Sequence, residues 1–150
     1  MRTAEIISAA LDDIPGLEPL KKDRRITQRG FYFYILRFDE NIWGIPRKRF
    51  MEACNAEGAV IGAGYGAPVY HLPLFQNTDY DESGYPVRRG RRKFGRTVSF
   101  RKVRCPNAER VSYHEHLTIG NHWLNFKRNG MLYARVFRKL WQNRDELRKG

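Results

Sequence analysis

The sequence predicts an α+β fold: a small mixed or antiparallel sheet packed with helices. Three observations carry that expectation. Residues 31–38, FYFYILRF, are a dense run of aromatic and branched side chains suited to a buried pleated surface. Residues 3–14 and a segment beginning near Asn129 place apolar side chains at helical spacing. The remaining apolar runs are short and punctuated by glycine and proline, so strands and helices alternate without repeats.

Taken in order, the first helix spans residues 3–14, with Thr3 as its N-cap and Glu5 in its first turn. Ile6, Ile7, Ala10, Leu11 and Ile14 share its inner face, and Pro15-Gly16 ends it. Residues 17–29 are polar and aperiodic and read as a loop. The near-continuous hydrophobicity of 31–38 predicts a central strand covered on both faces. Residues 39–44 turn the chain. Pro46 suits the first position of a helix running to about Glu57, with Phe50, Met51 and Cys54 inward and Gly58 as its stop. Residues 59–61 read as a short strand. Two prolines make 66–75 an extended loop, and 76–104 a polar, then basic, excursion. Val98 and Phe100 alternate with polar residues as a possible short strand. A helix from Pro106 to about Tyr113 precedes a strand at 116–119 with Leu117 and Ile119 on one face. Leu132, Val136, Phe137, Leu140 and Trp141 form the stripe of the last helix.

At 150 residues one domain, 1–150, is the natural count. With 41% hydrophobic and 13% aromatic residues the chain is not of the disordered class. No apolar run approaches the ~18–20 residues of a membrane helix, and an early acid argues against a secretory signal. A cytoplasmic, membrane-free protein is expected, with Cys54 and Cys105 as buried or free thiols. The net charge of +12 is local. Residues 88–104, RRGRRKFGRTVSFRKVR, hold nine cations and no acid, and the other 133 residues carry only +3.

Four pieces in register carry a resemblance: IPGL at 14–17, RGFYFYILRFD at 29–39, PRKRFMEACNAEGAVIGAGYGAPVYHLPLF at 46–75, and CPNAERVSYHEHLTIGNHW at 105–123. Together they resemble the C-terminal small domain of the DegT/StrS family of pyridoxal-phosphate-dependent sugar and cyclitol aminotransferases. The resemblance implies the small domain of a fold-type I enzyme that moves an amino group from glutamate or glutamine to a keto-sugar or keto-cyclitol. It also implies that the Schiff-base lysine and the cofactor cup belong to a large domain absent from this chain, whose partner is that domain or a second copy. Ser99-Phe100-Arg101-Lys102 superficially resembles the lysine segment, but no glycine pair follows and it sits directly before the CPNAER helix. The chain alone is therefore expected to bind no pyridoxal phosphate and to be inactive.

By the same resemblance Tyr65 and Tyr70 border the substrate pocket, where a phenol can donate to a polyol hydroxyl. His71 and, at a strand end, His122 are further candidates, although Asn121 stands where the family usually has proline. His114 and His116 form an HxH pair that could share a strand face, but no third ligand lies at sensible spacing and no metal is expected. The GAGYG run at 62–66 reads as a tight turn rather than a phosphate cradle. The basic patch Arg88, Arg89, Arg91, Arg92, Lys93 and Arg96, interleaved with Phe94, supports a second reading. That reading is a stand-alone module contacting nucleic acid, which no recognition signature accompanies.

Overall fold

The computed structural model describes residues 2–76 and 100–149. It divides the chain into two compact units, Met1–Gly64 with His114–Gly150, and Tyr65–Tyr113. The first unit is α+β. Its sheet has three strands in the order β1 (Leu17–Pro19), β2 (Phe33–Phe38) and β3 (His116–Gly120). Both pairings are antiparallel, with Leu17 opposite Phe38 and Phe33 opposite Gly120. β2 is central, as its composition predicts. Its Tyr34, Leu36 and Phe38 are buried, whereas the other face is only half covered and turns Arg37 toward Glu18, Asp39 and Glu115.

Helix α1 (Arg2–Leu11) stops one turn short of the expected end, and Ile14 is buried from outside the helix. Two expected loops contain structure. Residues 17–19 are strand β1, and Glu40–Trp43 form a short helix, α2. The Asp39 side chain caps α2 by accepting from the N–H groups of Asn41 and Ile42, and Gly44 closes it at φ 69. Helix α3 (Arg47–Ala56) has Pro46 at its N-cap rather than at its first helical position. It buries Phe50 and Cys54. Residues 59–61 form no strand, because the Asn55 amide takes both backbone groups of Ile61. Only Gly62 reaches the sheet, exchanging both hydrogen bonds with Thr118. After β3, a 3-10 turn at Asn121–Asn125 leads into α6 (Lys127–Gln142), two residues earlier than expected, and then α7 (Arg144–Lys149).

The core of this unit joins Ile7, Leu17, Leu36, Leu117 and Ile119 to an aromatic cluster. Phe50 lies 4.7 Å from Phe38, 4.8 Å from Trp43 and 6.0 Å from Phe137 between ring centres. α1 packs closely on α6 at Gly130, where an added Cβ would lie 3.0 Å from the Thr3 carbonyl oxygen.

The second unit holds a 3-10 turn at Val69–His71, α4 (Pro73–Gln76) and α5 (Pro106–Arg110); a π turn at Val111–Glu115 follows α5, and the chain re-enters the first unit within it, at His114. The expected extended loop at 66–75 is thus largely helical. Both of its prolines sit where a missing N–H costs nothing: Pro68 at an N-cap and Pro73 at the first helical residue. Phe100 is in no strand and packs on Phe75 at 5.2 Å. Val98 lies outside the described residues.

Candidate functional site

The second unit gathers polar side chains around one carboxylate. Pro106 starts α5 and places Glu109 in its first turn, facing back along the chain. Glu109 Oε1 accepts from the Tyr70 hydroxyl at 2.8 Å and from the Cys105 N–H at 3.2 Å. The same N–H also reaches the Tyr70 oxygen at 3.2 Å. His71, next along the 3-10 turn, holds Nε2 at 3.9 Å from that carboxylate oxygen and shares a 2.7 Å hydrogen bond between Nδ1 and the Tyr113 hydroxyl. The His71 and Tyr113 rings stack at 6.0 Å. From α4, the Gln76 amide donates to the Tyr70 carbonyl and so fixes the turn that carries both residues.

The electrostatics follow from this packing. Removal from water, then the neighbouring carboxylate, pushes the Tyr70 phenol up to about 12. The Tyr70 hydroxyl and the Cys105 N–H hold Glu109 below the usual carboxylate range. At neutral pH the pair is therefore a neutral phenol donating to an ionised carboxylate. The one proton of Tyr70 is used inside the protein. Through that bond Tyr70 anchors its loop to α5.

Tyr65 belongs to the same unit and is 78% exposed. His122 belongs to the other unit, on the 3-10 turn after β3. It is exposed, and its ring lies over Gly120, where an added Cβ would come within 2.7 Å of Cε1. His114 and His116 do not share a strand face. His114 sits on the π turn with Nδ1 3.2 Å from Glu40 Oε2, while His116 opens β3. Burial, then the charge of Arg47, lowers the His116 pKa. Arg47, almost wholly buried, donates to the His116 carbonyl at 2.8 Å. Among the described residues no group of three or more His, Cys, Asp or Glu is placed to hold a metal ion. No helix among them is long and apolar enough to cross a membrane. The patch Arg88, Arg89, Arg91, Arg92, Lys93 and Arg96 lies outside the described residues.

Sequence reasoning missed Glu109, Tyr113 and Gln76. An acid in the first turn of a proline-initiated helix was the available signal for Glu109, since such a group commonly reaches back to the capping N–H.

No protein-family model matches the chain. Its sequence is 34% identical over 118 residues, 77% of its length, to a protein of Micromonospora echinospora named as an L-glutamine:3-amino-2,3-dideoxy-scyllo-inosose aminotransferase. Proteins of the same name from Streptoalloteichus tenebrarius and Streptomyces kanamyceticus are 30% and 31% identical over 118 and 120 residues. The matched region spans only 27% of each of these relatives. The chain is thus related to part of an aminotransferase.

Proposed function

We propose that the chain is the C-terminal small domain of a DegT/StrS-type aminotransferase that moves the amino group of glutamine to a keto-cyclitol. The observation carrying this reading is the similarity over 77–78% of the chain to three relatives of one name, each spanned only to 27%. The four motif segments, all inside the described fold, support the finer family assignment.

Pyridoxal phosphate, when bound, supplies the carbonyl chemistry of such an enzyme. Every lysine among the described residues is exposed, including Lys102 in the turn at 101–102. The described residues do not fit a covalent cofactor site, so that chemistry is assigned to protein outside this chain. What this chain contributes is a polar wall. Tyr65 and His71, the latter with its Tyr113 partner, would meet cyclitol hydroxyls, and Tyr70 and Glu109 would hold their loop in place. His122 is proposed separately as a polar contact at the end of β3.

A chimera tests this: the Micromonospora relative with its matched region replaced by this chain. Glutamine-dependent amination of 3-amino-2,3-dideoxy-scyllo-inosose is expected, with KM raised by about tenfold in His71→Ala. A folded, cofactor-loaded chimera without amination would refute the reading. So would a stoichiometric adduct at Lys102 after borohydride treatment of this chain with pyridoxal phosphate.

A further inference from the structure

Helix α6, KRNGMLYARVFRKLWQ, carries five cations and no acid. Arg128, Met131, Arg135, Arg138 and Gln142 recur every three or four residues and form one stripe, exposed throughout. Beside that stripe, α1 and α6 enclose a groove of about 790 Å3 with an apolar floor of Ile6, Ala9, Ala10 and Ala134. Met131 stands at its edge, 58% exposed. Of the cations on the rim, Lys139 is engaged by Glu57 at 2.6 Å. Arg135 and Arg138 have no carboxylate within ion-pair distance among the described residues.

This combination restricts the occupant. A purely hydrophilic anion would leave the floor wet, and an apolar ligand would leave two guanidiniums unanswered. A second copy packed through the same face would set the same cation-rich, acid-free helix against this one. The small side chains of Ala9, Ala10 and Ala134 let a backbone approach closely, and the stripe is about four helical turns long. We propose that the α1–α6 groove docks an acidic amphipathic helix of another polypeptide. Its apolar face sits on Ile6, Ala9 and Met131, and its carboxylates meet Arg135 and Arg138. The inference stands on this unit alone and is independent of the aminotransferase reading.

The test uses the full chain with isotope-labelled methionine methyls; its methionines are Met1, Met51 and Met131. The probe is a synthetic helix as long as α6, with Leu and Ala on one face and Glu on the other. The Met131 signal should shift while that of Met51, on α3, stays put. The variant Arg135→Glu/Arg138→Glu should weaken binding by about tenfold or more, and Met131→Gln by about threefold. All of these positions are exposed, so the variants should fold. An unmoved Met131 signal, or equal binding of the same peptide with Lys in place of Glu, overturns the proposal. Tighter binding of a single-stranded oligonucleotide, lost in the same double variant, would overturn it in favour of nucleic acid.

Discussion

Gly64 offers a quantitative test of how the end of the first unit's first segment is held against β3. Its φ is +62, and its N–H donates to Thr118 Oγ1 at 3.2 Å. An added Cβ would lie 2.6 Å from His116 Cε1 and 3.0 Å from Nδ1. Gly58, in the same unit, has φ +82 and nothing within 4 Å of an added Cβ. A left-handed conformation costs an L-residue roughly 1–2 kcal/mol, and narrowing the unfolded ensemble offsets about 0.4–1 kcal/mol of that. Gly58→Ala should therefore destabilise by about 0.5–1 kcal/mol. Gly64→Ala carries the same backbone cost and must also push the half-buried His116 ring off its rotamer, adding about 1 kcal/mol. Urea denaturation at constant m-value reads the difference. In a His116→Ala background the excess should vanish, leaving Gly64→Ala no costlier than Gly58→Ala. Equal costs in the wild-type background, or an excess that survives removal of the ring, would refute the reasoning.

Three further outcomes are expected. Phe50→Ala empties the site between Phe38, Trp43 and Phe137 and should cost about 4 kcal/mol in guanidinium unfolding; a loss under about 1.5 kcal/mol would mean that the cluster is not packed as described. The folded pKa of His116 lies below the ordinary value of 6.5, so its contribution to stability is complete above that value and is lost as pH falls through it. His116→Gln should flatten the fall in stability below the ordinary value of 6.5, and an unchanged slope would contradict its placement. Spectrophotometric titration should show a tyrosine ionising at about 12 that Tyr70→Phe removes and Glu109→Gln moves lower; no movement in Glu109→Gln would dissolve the proposed cluster.

The legible parts of the fold were those where one residue's chemistry sufficed. FYFYILRF specifies a central strand because aromatic and branched side chains want a pleated, covered surface. Leu117 and Ile119 specify β3 by alternation. β1 was not legible. It is three residues long, ends in proline, and exists because β2 lies beside it, with the Asp39 N–H donating to the Gly16 carbonyl. The strand expected at 59–61 failed for a converse reason, since a side chain on α3, Asn55, captured its backbone groups. At the candidate site the aromatic and imidazole groups could be named from the resemblance. Their roles could not, because whether Tyr70 faces a ligand or an internal carboxylate depends on Glu109, brought in from far along the chain. His122 and the Tyr70 cluster fall in different units, a division that nothing in the local sequence announces.

The first unit is discontinuous: α1, β1, β2 and α3 come from its first segment, β3, α6 and α7 from its second. Its last helix is tied back to its beginning, because Arg148 donates to the carbonyls of Trp43 and Ile42 and lies against Gly44. During synthesis β2 is made long before the strand and helix that cover it. Until then Leu36, Phe38, Trp43 and Phe50 have too little surface to bury against, and one edge of β2 is open to other chains. The second unit is continuous and needs no such wait. Aggregation during expression should therefore depend on how quickly the segment from His114 onward emerges, and slow translation between residues 64 and 114 should prolong the vulnerable interval.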